Sequence, residues 1–267
     1  MLIITILAIT KAKHLRLPGA ISSGCMVHGD KFDVPLDPGQ ASIAATIAGV
    51  ASHRSMPQRA VAIAYAAALQ ESDLANLSYG DRDSVGVFQQ RPSEGWGTRR
   101  QLLNPIYASA KFFSVLATVP HYQRLKIYQA AQAVQHSADG QAYAQYAVQG
   151  ADMAGGFSGH LPHAVWCWYG GTITGKGRVA AAEVQLRKTF GRIAVRHLGD
   201  PTVQVRARTP AADWAVAAWL VANASTFRLK QVTYQGFQWM AKHGRRGWTT
   251  AMRAARGPAA RVGVTFG

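Results

Sequence analysis

The chain has 267 residues, of which 48% are hydrophobic, and this excludes an intrinsically disordered protein because such a chain can bury a sizeable core. Lys and Arg outnumber Asp and Glu by 29 to 13, and the net charge of +16 favours an anionic partner such as nucleic acid, anionic lipid or an acidic cell wall. Only three glutamates occur, at positions 71, 94 and 183, so few residues could serve as a catalytic glutamate.

The N-terminus is an apolar run from Met1 to Thr10, followed by basic residues. The run is shorter than the roughly 20 apolar residues that a membrane-spanning helix needs. A secretory signal carries its basic residues before the apolar run, whereas here they follow it. Three interpretations stay open: a truncated membrane anchor or signal, an uncleaved interfacial segment, or a buried strand. We assign residues 1–34 to this leader and a linker.

Apolar residues at helical spacing predict two helices, over residues 39–51 and 57–72. Pro57 suits the first position of the second helix, and Glu71 lies in its last turn. Residues 73–98 are rich in Gly, Asp and Ser and predict a loop, with one short strand or turn inside it.

Asn104 as N-cap and Pro105 at the first helical position begin the next predicted helix, which extends to Pro120. The Gly-rich residues 150–178 predict a loop that includes the start of a linker. The other predicted helices cover about residues 126–137, 139–147, 179–198 and 213–226, and two predicted strands cover 229–236 and 237–248.

The chain has two cysteines, Cys25 and Cys167. In an exported protein an even count permits one disulfide, which here would enclose residues 26–166. The alternative is a pair of buried thiols that behave as small hydrophobic groups.

Glu71 follows apolar residues and precedes Leu74, and such a setting can raise the pKa of a carboxyl group and keep it protonated near neutral pH. Cleavage of a bond between two sugars requires a proton donor of this kind. Most glycosidases use a second carboxylate as well, and the following loop contains several Asp residues and Glu94 without distinguishing one of them.

The segment Gln70-Glu71-Ser72, followed by Ser84-Val85-Gly86-Val87-Phe88-Gln89, resembles the lytic transglycosylase branch of the lysozyme-like superfamily. The likeness extends through Asn104-Pro105-Ile106 to cover about residues 40–150. Residues 70–97 resemble even more closely a group of exported actinobacterial cell-wall proteins. It implies a lysozyme-like fold and cleavage of peptidoglycan between N-acetylmuramic acid and N-acetylglucosamine. In that mechanism one glutamate, here Glu71, acts as acid and then as base, and the product is a 1,6-anhydro sugar.

The resemblance also implies roles for residues around Glu71. Ser72 would support the helix end, and Gly86 would allow close approach of the glycan. The cleft would be lined by Ser84, Gln89 and the backbone of Val87 and Phe88. To these we add Arg91 as partner of a substrate carboxylate and Trp96 as a ring that stacks on a sugar.

The family's Ala-Tyr-Asn-Ala-Gly segment corresponds to residues 133–137 here, where Gln135 replaces the Asn and the Tyr is absent. Gln135 can still donate and accept hydrogen bonds, so we assign it to substrate binding. Two functions stay open: a lytic transglycosylase, and a non-catalytic cell-wall-binding protein that retains a degenerate lysozyme-like cleft.

We therefore predict an α+β protein with a mostly helical lysozyme-like domain at residues 35–165, a linker and connecting helix at 166–200, and a small α/β module at 201–267. We expect it outside the cytoplasm, associated with the cell wall or membrane, and a membrane tether is one interpretation of its N-terminus. The expected partner is peptidoglycan or another acidic wall glycan. We expect no nucleic-acid partner, no cofactor and no metal site.

Overall fold

The computed structural model describes residues 22–136, 140–251 and 261–267. The apolar run Met1 to Thr10, and with it any anchor or strand that it forms, lies outside these ranges. The protein is a mixed α+β structure with a sheet in its C-terminal part, as predicted for its broad class.

The helices of the described residues are α1 Pro38–His53, α2 Gln58–Ser72, α3 Arg99–Leu102, α4 Pro105–Leu116, α5 Ile127–Gln135, α6 Ala147–Phe157, α7 Val179–Phe190, α8 Pro210–Ala222 and α9 Ala224–Phe227. The strands are β1 Gly24–Val27, β2 Val34–Leu36, β3 Val165–Trp168, β4 Ala194–Gly199, β5 Thr202–Arg206, β6 Leu229–Tyr234, β7 Phe237–Met240, β8 Thr249–Thr250 and β9 Val262–Phe266. Short 3-10 helices cover Pro92–Glu94, Gly140–Tyr146 and Ala241–Arg246.

Helix α2 lies at the centre of the helical part. Every residue from Ala60 to Leu69 is buried, and most of them are alanines. A helix buried on all sides must pack against several neighbours, and α2 contacts α1, α4, α5 and α6. The approach of α6 is close, since a Cβ added at Gly150 would lie 2.8 Å from the carbonyl oxygen of Ala62. The small side chains of α2 and α6 therefore allow this tight packing.

A three-stranded antiparallel sheet of described residues, in the order β2-β1-β3, packs against α1, α6 and α8. Cys25 on β1 lies opposite Cys167 on β3 and forms a disulfide with it, so the predicted bridge is confirmed. Disulfides persist in oxidising compartments, and this one indicates an extracytoplasmic environment.

The second sheet has six described strands in the order β4-β5-β9-β6-β7-β8, with antiparallel pairing throughout. Helix α8 packs on this sheet and also on α1, so its residues are buried on both sides. The predicted strand 229–236 is confirmed in β6. Its predicted partner, 237–248, is a strand only over Phe237–Met240 as β7, because a 3-10 helix follows over Ala241–Arg246. The predicted domain boundaries stay a prediction.

Two sequence predictions are wrong in this region. Residues 150–178 are not a continuous loop, because α6 continues to Phe157 and β3 covers Val165–Trp168. The predicted helix 179–198 ends at Phe190, since Gly191 has a φ of +70° that breaks the helix, and the chain continues as β4. Among the described residues, no helix is both long and apolar enough to cross a membrane.

Candidate active site

Glu71 lies in the last turn of α2, and the end of this helix fixes its position. The chain leaves α2 through Asp73 and Leu74, which both adopt the left-handed conformation, with φ of 54° and 58°. The backbone N–H of Leu74 donates back to the carbonyl of Ala68 at 3.1 Å, and the Leu74 side chain is fully buried. The acid is therefore attached to the rigid core and not to a free loop end.

The Glu71 carboxyl group faces a cleft of about 850 Å³, a size within the range of ligand pockets. The cleft brings together six of the predicted site residues: Glu71, Ser84, Gln89, Arg91, Trp96 and Gln135. It is also lined by Asp81, Gln90, Glu94, Gly95, Lys111, Val115, His136 and Tyr143.

Two side chains contact the Glu71 carboxyl group inside the cleft. The hydroxyl of Tyr143 donates a hydrogen bond to Oε1 at 2.6 Å, and Gln135 is a second side-chain hydrogen-bond partner. Burial raises the pKa of Glu71 above its ordinary value, while the bonds from Tyr143 and Gln135 lower it in part. Because burial is the largest effect, the protonated acid is favoured relative to an exposed glutamate.

Ser72 supports the site from behind. Its buried hydroxyl donates to the carbonyl oxygen of Val87 at 2.7 Å and so ties the end of α2 to the turn that follows Ser84. Within that turn Gly86 has a φ of +81°, and its α-carbon faces the carbonyl oxygen of Leu102. Gly86 is therefore required by the turn and its contact with α3, and it does not line the cleft.

Phe88 and Val87 are fully buried, and neither lines the cleft. The Phe88 ring stacks on Phe112 of α4 with centroids 4.6 Å apart. The carbonyl of Phe88 accepts a 2.7 Å hydrogen bond from Nε2 of Gln135. These residues position the wall of the cleft, and Gln135 connects that wall to Glu71.

Gln135 also has an unsatisfied group. Its Oε1 is buried and has no hydrogen-bond partner among the described residues. Buried polar atoms are normally paired, so such an acceptor beside Glu71 is suited to a donor on a bound molecule.

Arg91 is engaged by acidic side chains of the chain itself. Its Nε lies 3.0 Å from Oδ1 of Asp83, and its Nη1 is paired with Glu94. The Ser93 backbone N–H and the Arg91 guanidinium hold the pKa of Asp83 at about 2. Arg91 is thus neutralised where it stands. Lys111 also lines the cleft and forms no ion pair with any carboxylate in the described part of the chain.

Gln89 and Trp96 both line the cleft. The side-chain amide of Gln89 donates to the carbonyls of Gly86 and Tyr79 at 3.1 and 3.3 Å, so it mainly stabilises the turn. Trp96 is half-buried, and its carbonyl accepts a 3.3 Å bond from Tyr107. Its ring is packed against the core and still contributes to the cleft surface. Within the described ranges, no group of three or more His, Cys, Asp or Glu side chains is placed to hold a metal ion.

Sequence reasoning missed Tyr143. It searched for a tyrosine within residues 133–137, whereas the hydroxyl comes from the 3-10 helix that begins at Gly140. Tyr143 lies inside the predicted helix 139–147, which is a 3-10 helix over Gly140–Tyr146, but that prediction gave it no role beside Glu71.

No model of a known protein family matches the chain, and no curated protein does.

Proposed function

We propose that the protein is a lytic transglycosylase of lysozyme-like fold that cleaves peptidoglycan between N-acetylmuramic acid and N-acetylglucosamine. It would act outside the cytoplasm, at the cell wall. The observation that carries this proposal is the carboxyl group of Glu71, which burial favours in its protonated form at the wall of an open cleft, with the Tyr143 hydroxyl on its Oε1.

In the first step Glu71 donates its proton to the oxygen of the glycosidic bond. The bond to C1 of the muramyl sugar breaks, and N-acetylglucosamine leaves with a free 4-hydroxyl group. Because Tyr143 donates to Oε1, the carboxyl proton is held on Oε2, which leaves that atom as the acid. General acid catalysis of this kind contributes about 10²- to 10⁴-fold to a rate.

In the second step the Glu71 carboxylate takes a proton from the 6-hydroxyl of the same muramyl sugar. The oxygen attacks C1, the 1,6-anhydro ring closes, and Glu71 is again protonated for the next cycle. This mechanism needs no second carboxylate as a catalytic group, and no water is consumed. The buried Oε1 of Gln135 supports this role, since it can accept a hydrogen bond from a sugar hydroxyl or acetamido N–H beside the acid.

The muramyl sugar carries a carboxyl or peptide group, and Lys111 is the better partner for a carboxylate. Arg91 already binds Asp83 and Glu94, whereas Lys111 has no ion pair within the described residues. We therefore transfer to Lys111 the carboxylate-binding role that the sequence assigned to Arg91. Trp96 keeps its proposed role as a ring that stacks on a sugar.

The alternative is a non-catalytic wall-binding protein that uses the same cleft. The observation in its favour is that Gln135 is tied to the Phe88 carbonyl by its amide, so that only one oxygen remains for a sugar. Both functions predict binding to sacculi, and only the first predicts a product.

The test is digestion of purified sacculi by the full chain, with products identified by mass spectrometry. We expect 1,6-anhydro muropeptides from the native protein, and their loss in Glu71→Gln. Glu183→Gln is the matched control, because Glu183 does not line the cleft and pairs with Arg187 on α7. Binding without product would support the alternative, and products with reducing muramic acid ends would point to a hydrolase that uses Asp81 or Glu94.

A further inference from the structure

A second cavity, of about 580 Å³, lies at the opposite end of α2 from Glu71. It is formed where the end of α1 and the start of α2 meet the first turn of α8, and Gln58 at the start of α2 contributes to its lining. With a rise of about 1.5 Å per residue, Gln58 and Glu71 lie about 20 Å apart along the helix. We call this cavity the basic groove.

The groove has an apolar floor. Its accessible apolar side chains are the half-buried Met56, Ala207, Ala211 and Ala212, and the buried Ala48, Ala51, Val61 and Phe190 lie beneath them. A ligand with an apolar body would gain free energy by covering such a surface.

The charged residues of the groove are all basic. Arg192 and Arg208 line it together with the imidazoles of His53 and His160, and no Asp or Glu is part of its lining. Both arginines are exposed, and neither forms an ion pair with a carboxylate of the described ranges. Their guanidinium groups therefore remain available for the bidentate contacts that arginine makes with phosphate or carboxylate.

The chain itself offers no suitable occupant among its larger undescribed segments. Residues 1–21 contain two lysines, a histidine and an arginine, residues 252–260 contain two arginines, and neither segment contains an acidic residue. A second copy of the chain, with a net charge of +16, would be repelled as well. Charge complementarity thus favours an external anionic ligand.

We propose that the basic groove binds a ligand in which an oxyanion, phosphate or carboxylate, is attached to an apolar body. The oxyanion is held by Arg192 and Arg208, and the body covers the accessible apolar surface around Met56 and Ala212. This site is separate from the Glu71 cleft and does not depend on glycan cleavage.

The test is titration of the isotope-labelled full chain with phenyl phosphate, benzoate, phenol and inorganic phosphate, followed by NMR at low salt. We expect saturable shifts around the groove with phenyl phosphate or benzoate, and weaker binding of phenol and inorganic phosphate. The tighter of the two anions identifies the oxyanion. The double variant Arg192→Gln/Arg208→Gln should weaken this binding about tenfold or more.

The matched control is Arg100→Gln/Arg246→Gln, which removes the same charge from exposed arginines outside the groove. It should retain the affinity within about twofold, since distant surface charges are screened. Glu71→Gln should bind as the native chain does, which separates this result from the test of cleavage. The proposal is overturned if neither anion binds saturably, if phenol binds as tightly as the anions, or if both arginine pairs lose affinity equally.

Discussion

The hydroxyl of Tyr143 donates a 2.6 Å hydrogen bond to Oε1 of Glu71, although the two residues lie 72 positions apart in the chain. The Tyr143 side chain is buried and Glu71 is half-buried, so the bond lies in the wall of the cleft. The pair gives the acid a defined orientation before any substrate arrives. If the protein is a transglycosylase, this bond decides which carboxyl oxygen carries the proton.

We predict that Tyr143→Phe shifts the pH dependence of cleavage to higher pH. The Tyr143 bond lowers the pKa of Glu71, so its removal raises that pKa and keeps the acid protonated over a wider range. The rate at acidic pH should fall about tenfold, because the bond that orients the acid is lost. Release of anhydro muropeptides over a pH series measures both effects.

Tyr79→Phe is the control for this experiment, because the Tyr79 ring is 70% exposed and does not line the cleft. It should leave the profile unchanged. A Tyr143→Phe profile that moves to lower pH would contradict the assigned effect of the bond.

We predict that Glu71→Gln stabilises the protein at neutral pH. The folded pKa of Glu71 is raised above its unfolded value, so folding favours the protonated form. The contribution of Glu71 to the free energy of unfolding is therefore fully present below its unfolded pKa of about 4.3. This contribution is lost as the pH rises through the folded pKa. The glutamine introduced by this substitution carries no charge, so the free energy of unfolding of the variant should exceed that of the native chain above this window.

Urea unfolding at acidic and neutral pH measures this difference. The gap between the two proteins should grow from acidic to neutral pH. A gap that closes as the pH rises would show that the environment of Glu71 favours the carboxylate.

Ser72→Ala should lower the free energy of unfolding by about 1–3 kcal/mol, because the buried carbonyl of Val87 loses its hydroxyl partner. Ser109→Ala is the matched control. Ser109 is a buried helical serine whose hydroxyl donates to the carbonyl of Pro105, an acceptor within the same helix. Chemical denaturation measures the free energy of unfolding of both variants. Equal losses would show that the hydrogen bond from Ser72 to Val87 contributes no more than one within a single helix.

Replacement of both Cys25 and Cys167 by alanine should lower the free energy of unfolding by about 2–5 kcal/mol. The bridge joins residues 142 positions apart, and a loop of this length strongly restricts the unfolded chain. Reduction of the disulfide in the native protein should lower its free energy of unfolding by the same amount. Thermal unfolding with and without reductant measures it, and reductant should have no effect on the variant.

Lys111→Gln should raise KM for sacculi by about tenfold and leave kcat nearly unchanged, because it removes a contact with a substrate carboxylate that is not part of the reacting bond. The matched control is Lys230→Gln, since Lys230 is exposed on β6. Sacculi with amidated peptide carboxyl groups should reduce the difference between native protein and Lys111→Gln. An unchanged KM would assign the substrate carboxylate to another group.

The helix that carries Glu71 could be predicted from sequence, because its apolar spacing and the proline at its start are local signals. The same holds for the Asn104 cap, whose side chain accepts from the Ile106 N–H at 3.0 Å. These features depend on residues within a few positions of each other.

Contacts between distant segments could not be predicted in this way. Glycines disfavour an isolated helix, and so residues 150–157 were predicted as a loop. In the fold these glycines allow α6 to approach its neighbours, as at Gly156, where an added Cβ would lie 2.8 Å from Val27. Strand β3 pairs with a segment some 140 residues earlier, and Tyr143 reaches Glu71 from another element. Local sequence patterns do not indicate contacts between segments that are so far apart in the chain.

The alanines of α2 impose a size limit on the protein's central helix. Because the residues from Ala60 to Leu69 are enclosed on every side, a larger side chain at Ala67 would displace a neighbouring helix at a cost of about 1–3 kcal/mol. Glu71 lies one turn beyond and would move with the helix. The position of the Glu71 carboxyl group therefore depends on alanine methyl groups that do not line the cleft, and larger side chains there would move it without changing any polar residue.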